Sequence, residues 1–387
     1  MFKRYQGSYV FYVVLFFFFF FCMAAFSSVL SVYLISIDIG MADMSRIVSA
    51  SAIFAFATVP LTGYICDLTK KPRLVTAIMM VIMGIGAVLF SFSRTVGLLF
   101  FLNGLSFSMI SAVQPVLERL AGASKYRYGV LRVWGTIGYA VGAQAAGVIL
   151  EHMPARWLFI IILAGGVLTA LGLTGADDPI PEEKDPAEEE QRVSFKAFLK
   201  KPAFLLFCFM TVLFWGASGA NMTYIPVLLK DLGITTDRIG TIIFFSTLVE
   251  IPLIVFSNKF MDKFNGKELV VFASGLSLVE FLVYSLVQEI WIVVMIVILF
   301  KAIATTTYVM ITLKVVRNLV EDEMSTTGMS LVNTASSLGM IIMQNVGGIV
   351  VEATSLRSFY LILAAIMALI ILLTTFLKVS NTKKVFE

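Results

Sequence analysis

The segment VPLTGYICDLTKKPRLV, from Val59 to Val75, is answered 195 residues later by IVFSNKFMDKFNGKELV, from Ile254 to Val270. Each runs from the tail of an apolar stretch through an aspartate, Asp67 or Asp262, and a basic turn into the next apolar stretch. A second echo lies at an offset of 201, TIGYAVGAQAAGVILE (Thr136–Glu151) against SLGMIIMQNVGGIVVE (Ser337–Glu352). Its identities fall at Gly138/Gly339, Gly147/Gly348 and Glu151/Glu352. Two offsets this similar, each close to half of 387 residues, imply a duplicated unit.

Hydropathy says what is duplicated. Hydrophobic residues make up 59% of the chain, charged residues 14%, and mean hydropathy is +0.93, outside the range of soluble domains. A helix that crosses a bilayer needs about 20 apolar residues. Twelve runs qualify, at roughly 8–35, 46–66, 74–93, 97–118, 131–151, 157–175, 203–229, 239–258, 268–287, 290–313, 326–351 and 356–377. The expected fold is therefore an all-α membrane protein with twelve transmembrane helices in two six-helix pseudo-symmetric bundles, 1–175 and 203–387, joined by a cytoplasmic linker, 176–202. Parallel repeats of this kind are a secondary-transporter architecture.

Charge orients the bundle. With twelve spans and Lys3 and Arg4 inside, 21 of the 29 Lys and Arg fall in inner loops or tails, Lys314 among them, and 6 in outer loops. The positive-inside rule then puts both termini in the cytoplasm, and the expected location is the plasma membrane. The N-terminal Phe-rich run is too long for a signal peptide and lacks a small-residue cleavage site, so it is read as an uncleaved first span. Cys22, Cys66 and Cys208 have no metal or disulfide spacing, and the sole histidine is His152 in an outer loop. Neither a metal nor a cofactor is expected, and no nucleophile-and-base constellation supports an enzyme. The expected partners are a small polar solute, protons and the lipid bilayer, with no nucleic acid, and the expected state is a monomer.

The linker carries Pro179, Pro181, Pro186 and eight acids between Asp177 and Glu190, as a solvated tether would. From Val193 to Lys201 it becomes basic and amphipathic, which suits a short helix on the membrane surface. Trp157 and Trp291 open spans at the outer interface, where indole rings anchor. The glycines of span 5 (Gly135, Gly138, Gly142, Gly147) and span 11 (Gly339, Gly347, Gly348) permit close helix contact. Gly216 to Gly219, followed by Asn221 and Pro226, marks span 7 as the expected place for a loosened helix.

Four charges lie inside spans: Arg132, Glu250, Glu280 and Lys301. Each would cost roughly 3 kcal/mol against lipid, on the order of 10 kcal/mol together, so they must face protein or a watery cavity. Glu280 and Lys301 have similar depth on neighbouring spans and are expected to pair, either as a static structural ion pair or as part of the coupling machinery. Glu250, in Glu250-Ile-Pro252, has no sequence-adjacent partner and suits proton coupling, with a gating or hydrogen-bonding role as the alternative. Arg132 and Tyr139, seven apart on span 5, share a face, as do Gln114 and Glu118, four apart on span 4. An arginine fork, amide and carboxylate acceptors and an aromatic ring suit a small hydroxylated solute. Glu118 lies near the cytoplasmic end and could instead pair with Arg119 or Lys125.

The layout, the Asp67 and Asp262 loops, and above all YGVLRVWGTIG from Tyr128 to Gly138, resemble the major facilitator superfamily. More narrowly they resemble the MFS_1-like group around lactose permease and the nucleoside:proton symporters. Glu250-Ile-Pro252 through Asn265-Gly266-Lys267 is similar to span 8 and its following loop in that group. The resemblance implies that Arg132 is the substrate-binding arginine, that Gln114 stands where a sugar permease has its partner carboxylate, and that Tyr139 stands where it has a stacking tryptophan. Lys301 matches an intramembrane lysine of span 10. Ala304 and Thr307 occupy the permease's histidine and coupling-glutamate positions, Glu280 replaces its span 9 arginine, and Gly219 and Met222 replace its span 7 aspartates. Lactose itself and the permease's coupling route are thus not carried over.

The resulting expectation is uptake of a sugar or nucleoside-like solute by proton symport. Gln114, Glu118, Arg132, Tyr139, Asn221 and Lys301 would bind the solute, Glu250 and Glu280 would couple protons, and the Asp67 and Asp262 loops would gate. Sodium is disfavoured because span 2 has no carboxylate before Asp67. A drug or metabolite exporter is the alternative, against which span 5 lacks a proline-containing Gly-rich motif and span 4 a membrane-embedded arginine. A non-transporting sensor would need a soluble signalling domain that no stretch is long enough to form.

Overall fold

The computed structural model describes residues 7–122, 124–175, 201–260, 263–320 and 325–377, and the described chain is helical with no strand. The first expected span is two helices, α1 (Tyr9–Ser27) and α2 (Leu30–Ser36). The break falls at a serine pair, where Ser27 Oγ donates to the Met23 carbonyl and Val29 leaves helical geometry. There follow α3 (Met41–Thr69), α4 (Pro72–Phe92), α5 (Val96–Gly122), α6 (Tyr128–His152), α7 (Arg156–Gly175), α8 (Pro202–Asp231), α9 (Thr236–Phe260) and α10 (Gly266–Leu286). Then α11 (Ile290–Ile296) runs through a π-helical turn (Val297–Lys301) into α12 (Ala302–Leu319), and α13 (Ser325–Ala353) and α14 (Leu356–Thr374) complete the chain.

Among the described residues eleven helical segments are long and apolar enough to cross a membrane, and α9, 25 residues long, holds the place of the remaining expected span. Large apolar side chains such as Phe56, Phe92, Ile349 and Leu372 are exposed, as lipid-facing surfaces require. The chain is a multi-pass membrane protein.

Contacts gather the chain into two compact units. The first holds the N-terminal spans, in which α1 packs on α6 and α7, α3 on α5, and α4 on α7. It also holds Thr223–Leu248, the end of α8 and the first half of α9. Three contacts explain this membership. Glu151, at the end of α6, accepts from the Thr236 backbone N–H at 2.8 Å and from Lys230 Nζ at 3.3 Å. Gly147 lets the backbone of α9 approach, since a Cβ there would lie 2.6 Å from the Thr236 carbonyl. The Ser45 and Tyr224 hydroxyls share a hydrogen bond. The sequence reading places the second bundle from 203, and the first spatial unit reaches past that boundary.

In the second unit α10 packs on α14 and α12, as α4 packs on α7 in the first. One echoed pair of glycines does equivalent work. A Cβ on Gly138 would strike the carbonyl of Phe17 on α1, and one on Gly339 would strike the carbonyl of Val212 on α8. Span 5 thus crosses span 1 as span 11 crosses span 7, at carbonyls that are themselves 195 residues apart. The third echoed pair has diverged, because Glu151 caps α9 while Glu352 is exposed.

Two expectations are corrected. Span 7 is not loosened: α8 is one 30-residue helix, and Gly216 and Gly219 serve contact with Gly339 and Met340 of α13. The irregularity sits instead in spans 1 and 10. Lys314 is no loop residue; it lies on α12, 3% exposed, and donates to the Phe264 carbonyl at 2.7 Å. That bond ties the turn before α10, whose first turn is closed by an Asn265–Glu268 capping box. Trp157 and Trp291 are exposed in the first turns of α7 and α11. Asp262 and residues 176–200 of the proposed linker and surface helix lie outside the described residues, as does the side chain of Asp67, whose backbone falls in the last turns of α3.

Candidate functional site

Two polar clusters occupy the helices, one in each unit. In the first unit Arg132 is half-buried one turn into α6, with its guanidinium over the ring of Phe20 at 4.2 Å from the centroid. Gly135 makes this possible, since a Cβ there would stand 2.6 Å from the Phe20 ring and 3.0 Å from Arg132 Nη1. A guanidinium stacked by its face keeps its N–H edge for a partner. The phenol of Tyr128, one turn earlier, is acted on by both Arg132 and Glu118.

On α5, Gln114 Nε2 donates to Glu118 Oε1 at 3.1 Å, so the two residues expected to share a face are bonded to each other. Tyr139 is half-buried on α6. Nearby, Trp134 Nε1 donates to the Tyr9 hydroxyl at 2.8 Å and fixes α6 to α1. Phe20 was not singled out by the sequence, and Tyr128 entered only as the first residue of the span 5 motif. Tyr128 could have been singled out, because it lies four residues before Arg132 on the same face.

In the second unit the centre is Glu280, 1% exposed on α10. Its Oε1 accepts from Asn221 Nδ2 of α8 at 2.7 Å and from the Tyr284 hydroxyl at 3.0 Å. Asn221 Oδ1 in turn accepts from the Tyr360 hydroxyl of α14 at 3.2 Å. Lys301 closes the π-helical turn and acts electrostatically on Glu280 without an ion pair within 4.0 Å; it is also under the influence of Glu250, half-buried on α9. Glu280 is therefore satisfied by neutral donors, with the lysine at longer range. A buried carboxylate held this way is stable without a salt bridge, because two hydrogen bonds offset much of its desolvation.

π-helical turns recur at functional positions, and this one ends at Lys301, which the sequence marked as intramembrane. Tyr284 and Tyr360 escaped the sequence reading, since a tyrosine in an apolar run gives no signal of its partner. Among the described residues no group of His, Cys, Asp and Glu could hold a metal ion.

The sequence matches the MFS_1 like family over residues 9–362. It is 25% identical to maltose permease of Geobacillus stearothermophilus over 325 residues, which cover 83% of this chain and 82% of the permease. It is 22% identical to sucrose permease of Escherichia coli over 293 residues, covering 74% and 70% of the two chains. The fold superposes on the crystal structure of the nucleoside transporter NupG with a TM-score of 0.78 at 16% identity, covering 95% of this chain and 98% of that one. The two-unit helical fold with intramembrane polar clusters is that of a solute transporter of the major facilitator superfamily, not of an enzyme. Within it, the chain belongs to the MFS_1-like family.

Proposed function

We propose that this protein is a sugar uptake transporter of the plasma membrane, working as a monomer with both termini in the cytoplasm and driven by protons through alternating access of its two repeats. The observation that carries the reading is Arg132, set over the Phe20 ring and beside the Tyr128 phenol, whose fork of N–H donors suits a hydroxylated solute. Gln114, Glu118 and Tyr139 supply the remaining polar and aromatic contacts of the recognition side. Glu280 and Glu250, gathered around Lys301, supply the coupling side, with Asn221 serving Glu280.

Two curated relatives named for maltose and sucrose favour a sugar over a nucleoside, for which the fold alone speaks. The inner loops at Asp67 and Asp262 are assigned to gating by their place in the repeat.

The test is a thermal-shift panel of sugars, glycosides and nucleosides on purified protein, followed by counterflow of each stabilising compound in proteoliposomes. Stabilisation and counterflow by a di- or oligosaccharide are expected, and Arg132→Lys should weaken both at least about tenfold, because a point charge does not replace the fork. A response confined to nucleosides, or wild-type affinity in Arg132→Lys, would overturn the assignment.

A further inference from the structure

Taking Glu280 as a proton-coupling carboxylate, we propose that Tyr360 is a positioning residue for its proton step, acting through an Asn221 side chain that turns over between two fully hydrogen-bonded states. The Tyr360 hydroxyl meets Asn221 Oδ1 at 3.2 Å, and Asn221 Nδ2 meets Glu280 Oε1 at 2.7 Å, so the amide bridges a phenol and a carboxylate across α14, α8 and α10. All three residues are buried. At such a site an unpaired donor or acceptor is costly, and the bridge must stay satisfied whatever the charge on Glu280.

With Glu280 ionised, an amide N–H must face it, and Asn221 Oδ1 then needs a donor, which the Tyr360 O–H is. When Glu280 takes a proton from hydronium on Oε1, the oxygen that both donors face, the new O–H points at Asn221 and Nδ2 can no longer serve it. A half-turn of the amide presents Oδ1 to the new O–H and swings Nδ2 toward Tyr360. A hydroxyl accepts as readily as it donates, so Tyr360 now receives the N–H and no group is orphaned. Phenylalanine would orphan one amide atom in either state. Tyr284 donates to Oε1 in both states and needs no reorientation.

The surroundings leave this bridge as the adjustable element. The π-helical turn contributes Lys301, itself acted on by Glu250, and α11 contributes no titratable side chain. On α12 the Tyr308 hydroxyl is bonded to Thr211 and Lys314 to the Phe264 carbonyl, while Arg317 lies in its last turn. On α14, Arg357 stands in the first turn. The Tyr360 ring is braced edge-on against Tyr284, centroids 5.1 Å apart, and lies beside Phe281 at 6.0 Å. Tyr360→Phe therefore removes the hydroxyl and keeps the packing.

Infrared difference spectra of the full-length protein in bilayers, titrated with pH and without solute, test the proposal. Wild type should show a protonated-carboxyl band that is absent in Glu280→Gln. In Tyr360→Phe that band should change frequency while its midpoint moves little, because the hydroxyl serves one amide atom in each protonation state and its loss costs both alike. The effect should vanish in an Asn221→Ala background. In wild type labelled with isotopic asparagine, the side-chain band lost in Asn221→Ala should change over the same titration.

An unshifted band in Tyr360→Phe, an effect that survives Asn221→Ala, an asparagine band constant through the titration, or no Glu280 band in wild type would each overturn the proposal. Because no solute is present, a normal infrared result alongside absent sugar counterflow would sink the sugar reading and support this one.

Discussion

At the scale of single residues, two of the intramembrane charges have hydrogen-bond or ring partners that carry no charge themselves. Glu280 leans on an amide and a phenol, and Arg132 on a benzene ring. Such partners lower the cost of a buried charge without neutralising it, so the charge stays available to a solute or a proton. Glu250 differs: it is half-buried and acts on Lys301 from a separate helix. Glu250→Gln keeps the shape and removes the titration. Solute counterflow should survive in that variant while uphill accumulation driven by a proton gradient disappears, both measured in the same proteoliposomes; unimpaired accumulation would remove Glu250 from coupling.

At the scale of elements, close helix crossings at glycine hold each repeat together. Gly138 and Gly339 each receive a carbonyl from the first helix of their half, where no Cβ fits. Gly138→Ala and Gly339→Ala should each destabilise by about 1–3 kcal/mol, the usual cost of overpacking a rigid contact. Gly97→Ala, with nothing within 4 Å of the added methyl, should be neutral or stabilising by up to ~1 kcal/mol. Thermal unfolding of the three variants in one detergent separates these cases. The same crossings explain why span 7 is unbroken: its glycines were legible as small residues, but whether they loosen a helix or seat a neighbour depends on α13, which the local sequence does not contain.

At the scale of the molecule, the first unit reaches beyond its repeat to take in Thr223–Leu248. Glu151 is the main polar reason, through two contacts of unequal worth. Its bond to the Thr236 N–H caps a helix, typically worth about 1 kcal/mol. Its pairing with Lys230, whose side chain is 45% exposed, is screened by solvent and should contribute less than about 0.5 kcal/mol. Glu151→Ala should therefore lower stability clearly and Lys230→Met barely, as read by denaturation of the two variants; the reverse order would show that the ion pair dominates.

Hydropathy and repetition in the sequence were enough to determine the class of fold, because bilayer thickness sets span length and duplication sets symmetry. The echo even located Gly138 and Gly339, and the intramembrane charges marked Arg132, Glu250, Glu280 and Lys301 from their cost alone. Helical spacing likewise joined Gln114 to Glu118. The partners were another matter. That Glu280 bonds to Asn221 and Tyr284 rather than to Lys301, that Phe20 seats Arg132, and that Tyr360 completes the bridge were decided by how far each helix is rotated and shifted against its neighbours. Periodicity tells which face of a helix a side chain occupies, but only packing between helices remote in the chain tells what that face meets.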